Sequence, residues 1–157
     1  MKKLVRKNIW DLKPYEPGKP IEELERELGV KGIVKLASNE NPLGPSPKAI
    51  EAIRAFAKEV HRYPDSSGFY LKNKLSRKLK VKPENVILGN GSDEIIDMIV
   101  KTFLDSHHEA LIAEPSFLEY KIIVKTRGAK IKSIPMENFR YDIDLSLIHI
   151  SEPTRPY

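Results

Sequence analysis

Between residues 86 and 135 the chain alternates short strand-like runs, two of them wholly apolar, with longer amphipathic ones, and few folds tolerate that order. Val86-Ile87-Leu88 reads as a strand that runs into the turn "GNGSDE". The helix after Gly91 carries Ile95, Ile96, Ile99, Val100, Phe103 and Leu104 on one broad face. After the loop "DSHHE", "ALIA" is a second strand with no polar residue in it. "EPSF" turns the chain into a helix predicted from about Phe117 to Arg127, stopped by Gly128, and "AKIKSIP" alternates as a third strand. The order is β-α-β-α-β. A strand that is apolar on both sides must be covered on both sides, so the pattern predicts an α/β fold with a mostly parallel sheet and helices on both faces. Ligands of such sheets sit at the carboxyl ends of the strands. Both "GNGSDE" and "EPSF" fall there.

Upstream, residues 1–19 hold Trp10, Pro14, Tyr15, Pro17 and Gly18 and read as an extended arm, because proline forbids a helix. Ile21, Leu24 and Leu28 then give helical spacing, with Gly29 as the stop. "IVKLAS" reads as a short strand, and "NENPLGPSP" as a rigid loop. Ser46 and Pro47 open the next helix as N-cap and first position, with Ile50, Ile53, Phe56, Ala57 and Val60 expected inward. "HRYPDSSG" breaks it. Ser66 or Ser67 is expected to cap a further helix striped by Leu71, Leu75 and Leu79.

The chain has 157 residues and a formal net charge of +5. Lysine and arginine alternate with glutamate along helices ("EELERELGVKG", "LKNKLSRKLKVK"), so the charge reads as solvated helix faces and no nucleic-acid partner is expected. With no cysteine, neither a disulfide framework nor a thiolate metal site is possible. His107 and His108 are adjacent and cannot share a helix face, so they read as a solvated loop and no metal site is expected. The N-terminus has basic residues but no apolar run of a signal peptide, and no run is long enough to span a membrane. A cytoplasmic protein is the expectation.

The first turn has two readings. A helix N-terminus offers free N–H groups and the positive end of the helix dipole, which favours an anion such as phosphate. Gly89 and Gly91 permit close approach, and Ser92 adds a hydroxyl. Equally, Ser92 can be a plain N-cap, with Asp93 and Glu94 complementing the dipole. A P-loop is excluded, because no Gly-Lys-Ser/Thr follows. A dinucleotide fingerprint fits Gly89 and Gly91, with Glu114 as the ribose-binding acid, but fails at Glu94, where close helix–strand packing needs glycine. Phe117 either lies flat on a planar cofactor ring or starts the helix core. Tyr63 either donates to a phosphate or is an ordinary loop tyrosine.

Taken together, "PYEPGKP", "KLASNENPLGPSPKAIEAI", "HRYPD", "ILGNGSDEIID" and "EPSFLEY" resemble, in order and spacing, the histidinol-phosphate aminotransferases over about residues 8–145. These are fold-type I enzymes dependent on pyridoxal 5'-phosphate. The resemblance implies that Gly91, Ser92 and Asp93 form the turn that binds the cofactor phosphate and that Phe117 stacks on its ring. It further implies that Tyr63 reaches the cofactor phosphate of a partner subunit in a homodimer. Tyr15 and the Asn39-Glu40-Asn41 loop match segments that close over substrate. The implied reaction passes an amino group between L-histidinol phosphate and 2-oxoglutarate, in histidine biosynthesis. Residues 1–44 would be arm and small-domain segment, and 45–145 the start of the large cofactor-binding domain.

The resemblance also has an edge. Members of the family are longer, and their Schiff-base lysine, their ring-nitrogen aspartate and their carboxylate-binding arginine match no residue here. No catalytic residue is therefore assigned, and this chain is expected to be an inactive fragment. "LIHISEPTRPY" fits no family segment, and residues 146–157 read as a non-native tail whose Pro153 and Pro156 prevent a helix. The alternative is a small nucleotide-binding, Rossmann-like module complete as it stands, but such a module has no use for the arm or the rigid "NENPLGPSP" loop.

Overall fold

The structure, a computed structural model, describes residues 4–141. The segment 142–157, including the tail read as non-native, lies outside the described residues. The elements are α1 (Lys7–Trp10), α2 (Ile21–Leu28), α3 (Pro47–Phe56), α4 (Phe69–Leu79), α5 (Gly91–Phe103), β1 (Glu109–Glu114), α6 (Leu118–Arg127), β2 (Lys130–Glu137) and β3 (Arg140–Tyr141). Single 3-10 turns follow α3 and α4. The chain forms two compact units. Among the described residues one is drawn from 4–15 and 87–141, the other from Glu16–Val86.

The first unit contains the sheet. β1 and β2 run parallel, with Ala110 opposite Ile131 and Ala113 opposite Ile134, and the short β3 returns antiparallel to pair Met136 with Tyr141. Consecutive residues Ile112 and Ala113 are both buried. Successive side chains of a strand point to opposite faces, so β1 is covered on both at its carboxyl half, as expected of a parallel strand. Val100 of α5, Ile112 of β1 and Ile123 and Val124 of α6 form the core with Ala129, and Ile96, Leu104 and Tyr120 pack against it. The α6 helix ends where the sequence says it must: Gly128 is left-handed (φ 79°) and its N–H reaches the Lys125 carbonyl at 2.9 Å. Arg127 Nε donates to the Leu104 carbonyl at 3.3 Å, tying the ends of α5 and α6 together.

In the second unit, α2 ends at the left-handed Gly29 and α3 opens with Ser46 as N-cap and Pro47 at N1, both as read from the sequence. The cap of α4 differs. Neither Ser66 nor Ser67 performs it. Gly68 takes a left-handed turn (φ 60°), so the carboxylate of Asp65 faces the helix and accepts from the Phe69 N–H at 3.3 Å, the Ser67 N–H at 2.9 Å and the Ser67 hydroxyl at 2.8 Å.

Other expectations also fail. Val86-Ile87-Leu88 is not a strand: Val86 has extended backbone (φ −113°, ψ 119°), but no described neighbour pairs with it, and a strand exists only through its ladder. The same holds for "IVKLAS". The arm is not wholly extended, because α1 forms before the first proline and escapes its constraint. Nor do Ile53, Phe56 and Val60 point into a core: all three are exposed, as are Leu71 and Leu79 of the α4 stripe.

Candidate functional site

The turn before α5 has its own geometry. Gly91 sits at φ 80°, a left-handed conformation that disfavours any side chain, and a Cβ built there would meet nothing within 4 Å. Gly89 is glycine for a different reason: a Cβ there would come within 2.8 Å of Ile95 Cδ1. The residue preceding the helix is Asn90, not Ser92. The capping carboxylate is that of Glu94, which accepts from the Asn90 N–H. This explains why a dinucleotide fingerprint is spoiled here: the side chain at the third glycine position folds back onto the turn. Ser92 and Asp93 are exposed, their side chains 3.5 Å apart, and their N–H groups lie in the first turn, where no helical acceptor exists. The turn thus keeps an open, glycine-cradled face bearing two amides and a hydroxyl.

The second loop joins β1 to α6. Phe117 is the N-cap residue of α6 and remains more than one-third exposed. Its ring is met edge-on by Tyr15 from the arm, at 5.8 Å and 78°, and by Tyr120 from α6, at 5.9 Å and 87°. Glu114 closes β1 and binds Lys121 Nζ at 2.5 Å. That hydrogen bond, together with one involving Ser133, holds the Glu114 carboxyl below its usual range. Glu114 is therefore committed to Lys121 rather than free for a ribose. Beside Phe117, the Ser116 hydroxyl is buried without a hydrogen-bond partner among the described residues. A buried hydroxyl without a partner is costly, and such an atom invites a ligand or a further protein group.

Of the residues singled out from sequence, the structure brings Tyr15 and Phe117 together. Tyr63, Asn39 and Asn41 belong to the second unit. Tyr63 is fully exposed at the rim of a cavity lined by Phe56, Val60, Arg62 and Asp65. Asn39 is left-handed (φ 51°). Asn41 turns its side chain onto its own loop, accepting from the Leu43 N–H at 3.1 Å and donating to the Gly44 carbonyl at 2.9 Å. His107 and His108 form a solvated loop around Asp105, which His108 Nδ1 approaches to 2.6 Å. Among the described residues no cluster of histidine, aspartate and glutamate could hold a metal, and no helix is long and apolar enough to cross a membrane. Sequence reasoning missed Asn8, Tyr120, Ser116 and the Glu114–Lys121 pair. Asn8 carried no local signal at all, since its partners lie 117 and 118 residues downstream.

A parallel β1-α6-β2 layer, with a glycine turn opening α5 and an exposed aromatic following β1, defines an α/β protein. The chain belongs to the aminotransferase class I and II family, whose model matches residues 31–155. It is 47% identical over 150 residues to the histidinol-phosphate aminotransferase of Moorella thermoacetica, covering 96% of this chain and 39% of that protein. To the enzyme of the same name from Desulfotalea psychrophila it is 44% identical over 151 residues, covering 96% and 40%. Among solved structures it is similar to histidinol-phosphate aminotransferase from Sinorhizobium meliloti in complex with pyridoxal-5'-phosphate. There the TM-score is 0.82 at 26% identity, over 97% of this chain and 40% of that one. The chain spans about two fifths of the length of these curated relatives.

Proposed function

We propose that this chain carries the cofactor-phosphate and ring-stacking part of a pyridoxal 5'-phosphate-dependent aminotransferase acting on L-histidinol phosphate and 2-oxoglutarate. The observation that carries the proposal is the open turn at Gly91, left-handed and with no atom near a built Cβ, followed by two first-turn amides and the Ser92 hydroxyl. A dianionic phosphate fits that donor set, and the Asp93 carboxylate, exposed at the surface, need not face it. Phe117, exposed and flanked by two tyrosines, offers a ring surface for a planar pyridine, with the orphan Ser116 hydroxyl beside it. Bound there, the cofactor supplies an electron sink for the carbon that bears the substrate amine.

In this reading Tyr63, fully exposed, donates to the cofactor phosphate of a partner subunit, and the parent protein is a cytoplasmic homodimer. Tyr15, Asn39 and Asn41 contact substrate. Residues 1–44 serve the small domain and 45–145 the large one. In the same reading no lysine of this chain serves as the Schiff-base lysine, so the 157-residue chain binds cofactor without turning over substrate. Lys121, on α6, is already held by Glu114.

Titration of the chain with pyridoxal 5'-phosphate, in competition with inorganic phosphate, tests the binding reading. Borohydride reduction followed by peptide mapping, with a histidinol-phosphate transamination assay, tests the rest. Saturable, phosphate-competed binding without turnover is expected. One specifically reduced lysine, or measurable transamination, would overturn the assignment of an incomplete site.

A further inference from the structure

The arm meets α6 at both of its ends. Asn8, half-buried in α1, donates from Nδ2 to the Lys125 carbonyl at 2.5 Å and the Thr126 carbonyl at 3.1 Å. Carbonyls of a last helical turn have no partner within the helix. A side chain from the far N-terminus therefore donates to the Thr126 carbonyl and adds a second donor to that of Lys125, which also accepts from the Gly128 N–H; the built Cβ of the left-handed Gly128 would lie 3.8 Å from Asn8 Nδ2. At the other end of α6, Tyr15 packs edge-on against Phe117, the N-cap residue. The arm from Asn8 to Tyr15 thus lies along α6 in the opposite sense, from its C-terminal carbonyls to its N-cap. An α-helix of ten residues is about 15 Å long, a distance that this stretch can cover.

Phe117 needs such help. It stands outside the core, at a position where the chain changes from extended to helical, and more than one-third of it is exposed. From its own helix only Tyr120 touches its ring among the aromatics described. One edge-on aromatic contact comes from the same helix and a second from an arm fastened elsewhere, and together they narrow the rotamers open to the ring.

We propose that Asn8 and Tyr15 are positioning residues, the clasp and the stop of an arm that holds the Phe117 ring in one orientation for stacking on a planar cofactor. The value of that orientation rests on the reading of Phe117 given above; the clasp itself does not. The ring of Tyr15 does this work and its hydroxyl does not, which leaves the hydroxyl free for substrate and separates the two roles by mutation.

The test places 4-fluorophenylalanine at position 117 of the whole chain and reads its fluorine resonance in the parent and in Tyr15→Phe, Tyr15→Ala and Asn8→Ala. Pyridoxal 5'-phosphate affinity and the induced circular dichroism of its absorption band are read on the same proteins without the label. Tyr15→Ala is expected to shift and sharpen the resonance, and to weaken cofactor binding about three- to tenfold with loss of the induced signal. Asn8→Ala should move both in the same direction by less, and Tyr15→Phe should restore both. Tyr15→Leu, which keeps apolar bulk without a ring, serves if the alanine variant does not fold. An unchanged resonance in folded Tyr15→Ala, or no restoration by Tyr15→Phe, overturns the proposal. A resonance that responds as expected in a parent chain that binds no pyridoxal 5'-phosphate would overturn the cofactor reading and leave the clasp standing.

Discussion

Helices α3 and α5, one in each unit, share a similar amphipathic pattern, and the two units bury their apolar side chains very differently. Around the sheet, Val124 is 4% exposed and Ile134 3%, and five buried residues form one cluster. In residues 16–86, Phe56 is 70% exposed and Val60 81%, and the buried residues are Val86 and Ser76. Apolar periodicity says which face of a helix avoids water; it does not say what that face meets. α6 meets α5, β1 and β2. The inward-reading face of α3 meets solvent, an exposed apolar surface of the kind that marks an interaction face.

The largest effect should fall on this contrast. Ile112→Ala, in the cluster, is expected to cost about 2–5 kcal/mol and to collapse amide protection in β1 and α6. Phe56→Ala is expected to stay within about 0.5 kcal/mol. Native-state hydrogen exchange resolves the two units separately. A Phe56→Ala penalty as large as that of Ile112→Ala would show that the second unit has a core of its own.

Next come the glycines. Gly91 and Gly29 are both left-handed, and a Cβ at either meets nothing within 4 Å. Alanine at each should therefore suffer the same backbone strain, about 1–2 kcal/mol. The consequences should differ by unit: Gly91→Ala weakens phosphate competition at the α5 turn, whereas Gly29→Ala frays α2 and leaves it alone. Gly89→Ala sharpens the comparison, since it must also displace Ile95. Urea denaturation beside phosphate titration separates strain from binding.

The smallest effect is that of acid. Hydrogen bonds from the Ser67 hydroxyl and from the Ser67 and Phe69 amides depress the Asp65 carboxyl in the second unit; Lys121 and Ser133 depress Glu114 in the first. A carboxyl whose folded pKa is lowered contributes stability above its unfolded value. That contribution is fully present above the ordinary values of about 3.9 for aspartate and 4.3 for glutamate, and is lost as pH falls through the folded values. Both carboxylates are solvent-exposed, so the losses are small. Asp65→Asn should flatten the acid dependence of α4 ellipticity below about pH 4, and Glu114→Gln that of the sheet unit. If Asp65→Asn left the acid limb of α4 unchanged, the Asp65 cap would be a contact without energetic weight.

Much of the candidate site was legible because its signals are local. "GNGSDE" announced a glycine turn at a helix start, and Gly91 is open and left-handed there. "EPSF" put an aromatic at the end of an apolar strand, and Phe117 stands there, exposed. The capping was less legible. A serine was expected to cap α4, and Ser92 was one of two readings for the α5 turn, yet carboxylates serve at both, Asp65 accepting from the Phe69 N–H and Glu94 from the Asn90 N–H. Which oxygen reaches an amide depends on the dihedral angles of the turn, and those follow from the left-handed glycines rather than from the identity of the nearest polar residue.

What the sequence determined by itself is the set of elements closed by neighbours along the chain: α2 up to Gly29, α3 from Ser46-Pro47 and α6 up to Gly128. Periodicity, a capping residue and a helix-stopping glycine act within a few residues, so their outcome is written in order. Only the tertiary structure decided that Val86-Ile87-Leu88 finds no ladder among the described residues, that Phe56 faces water, and that Asn8 closes a helix 117 residues away while Tyr15 packs on Phe117. Each of those depends on a partner distant in sequence. A strand without a neighbour, an apolar face without a cover and an amide side chain without a carbonyl look the same in one dimension as those that have them.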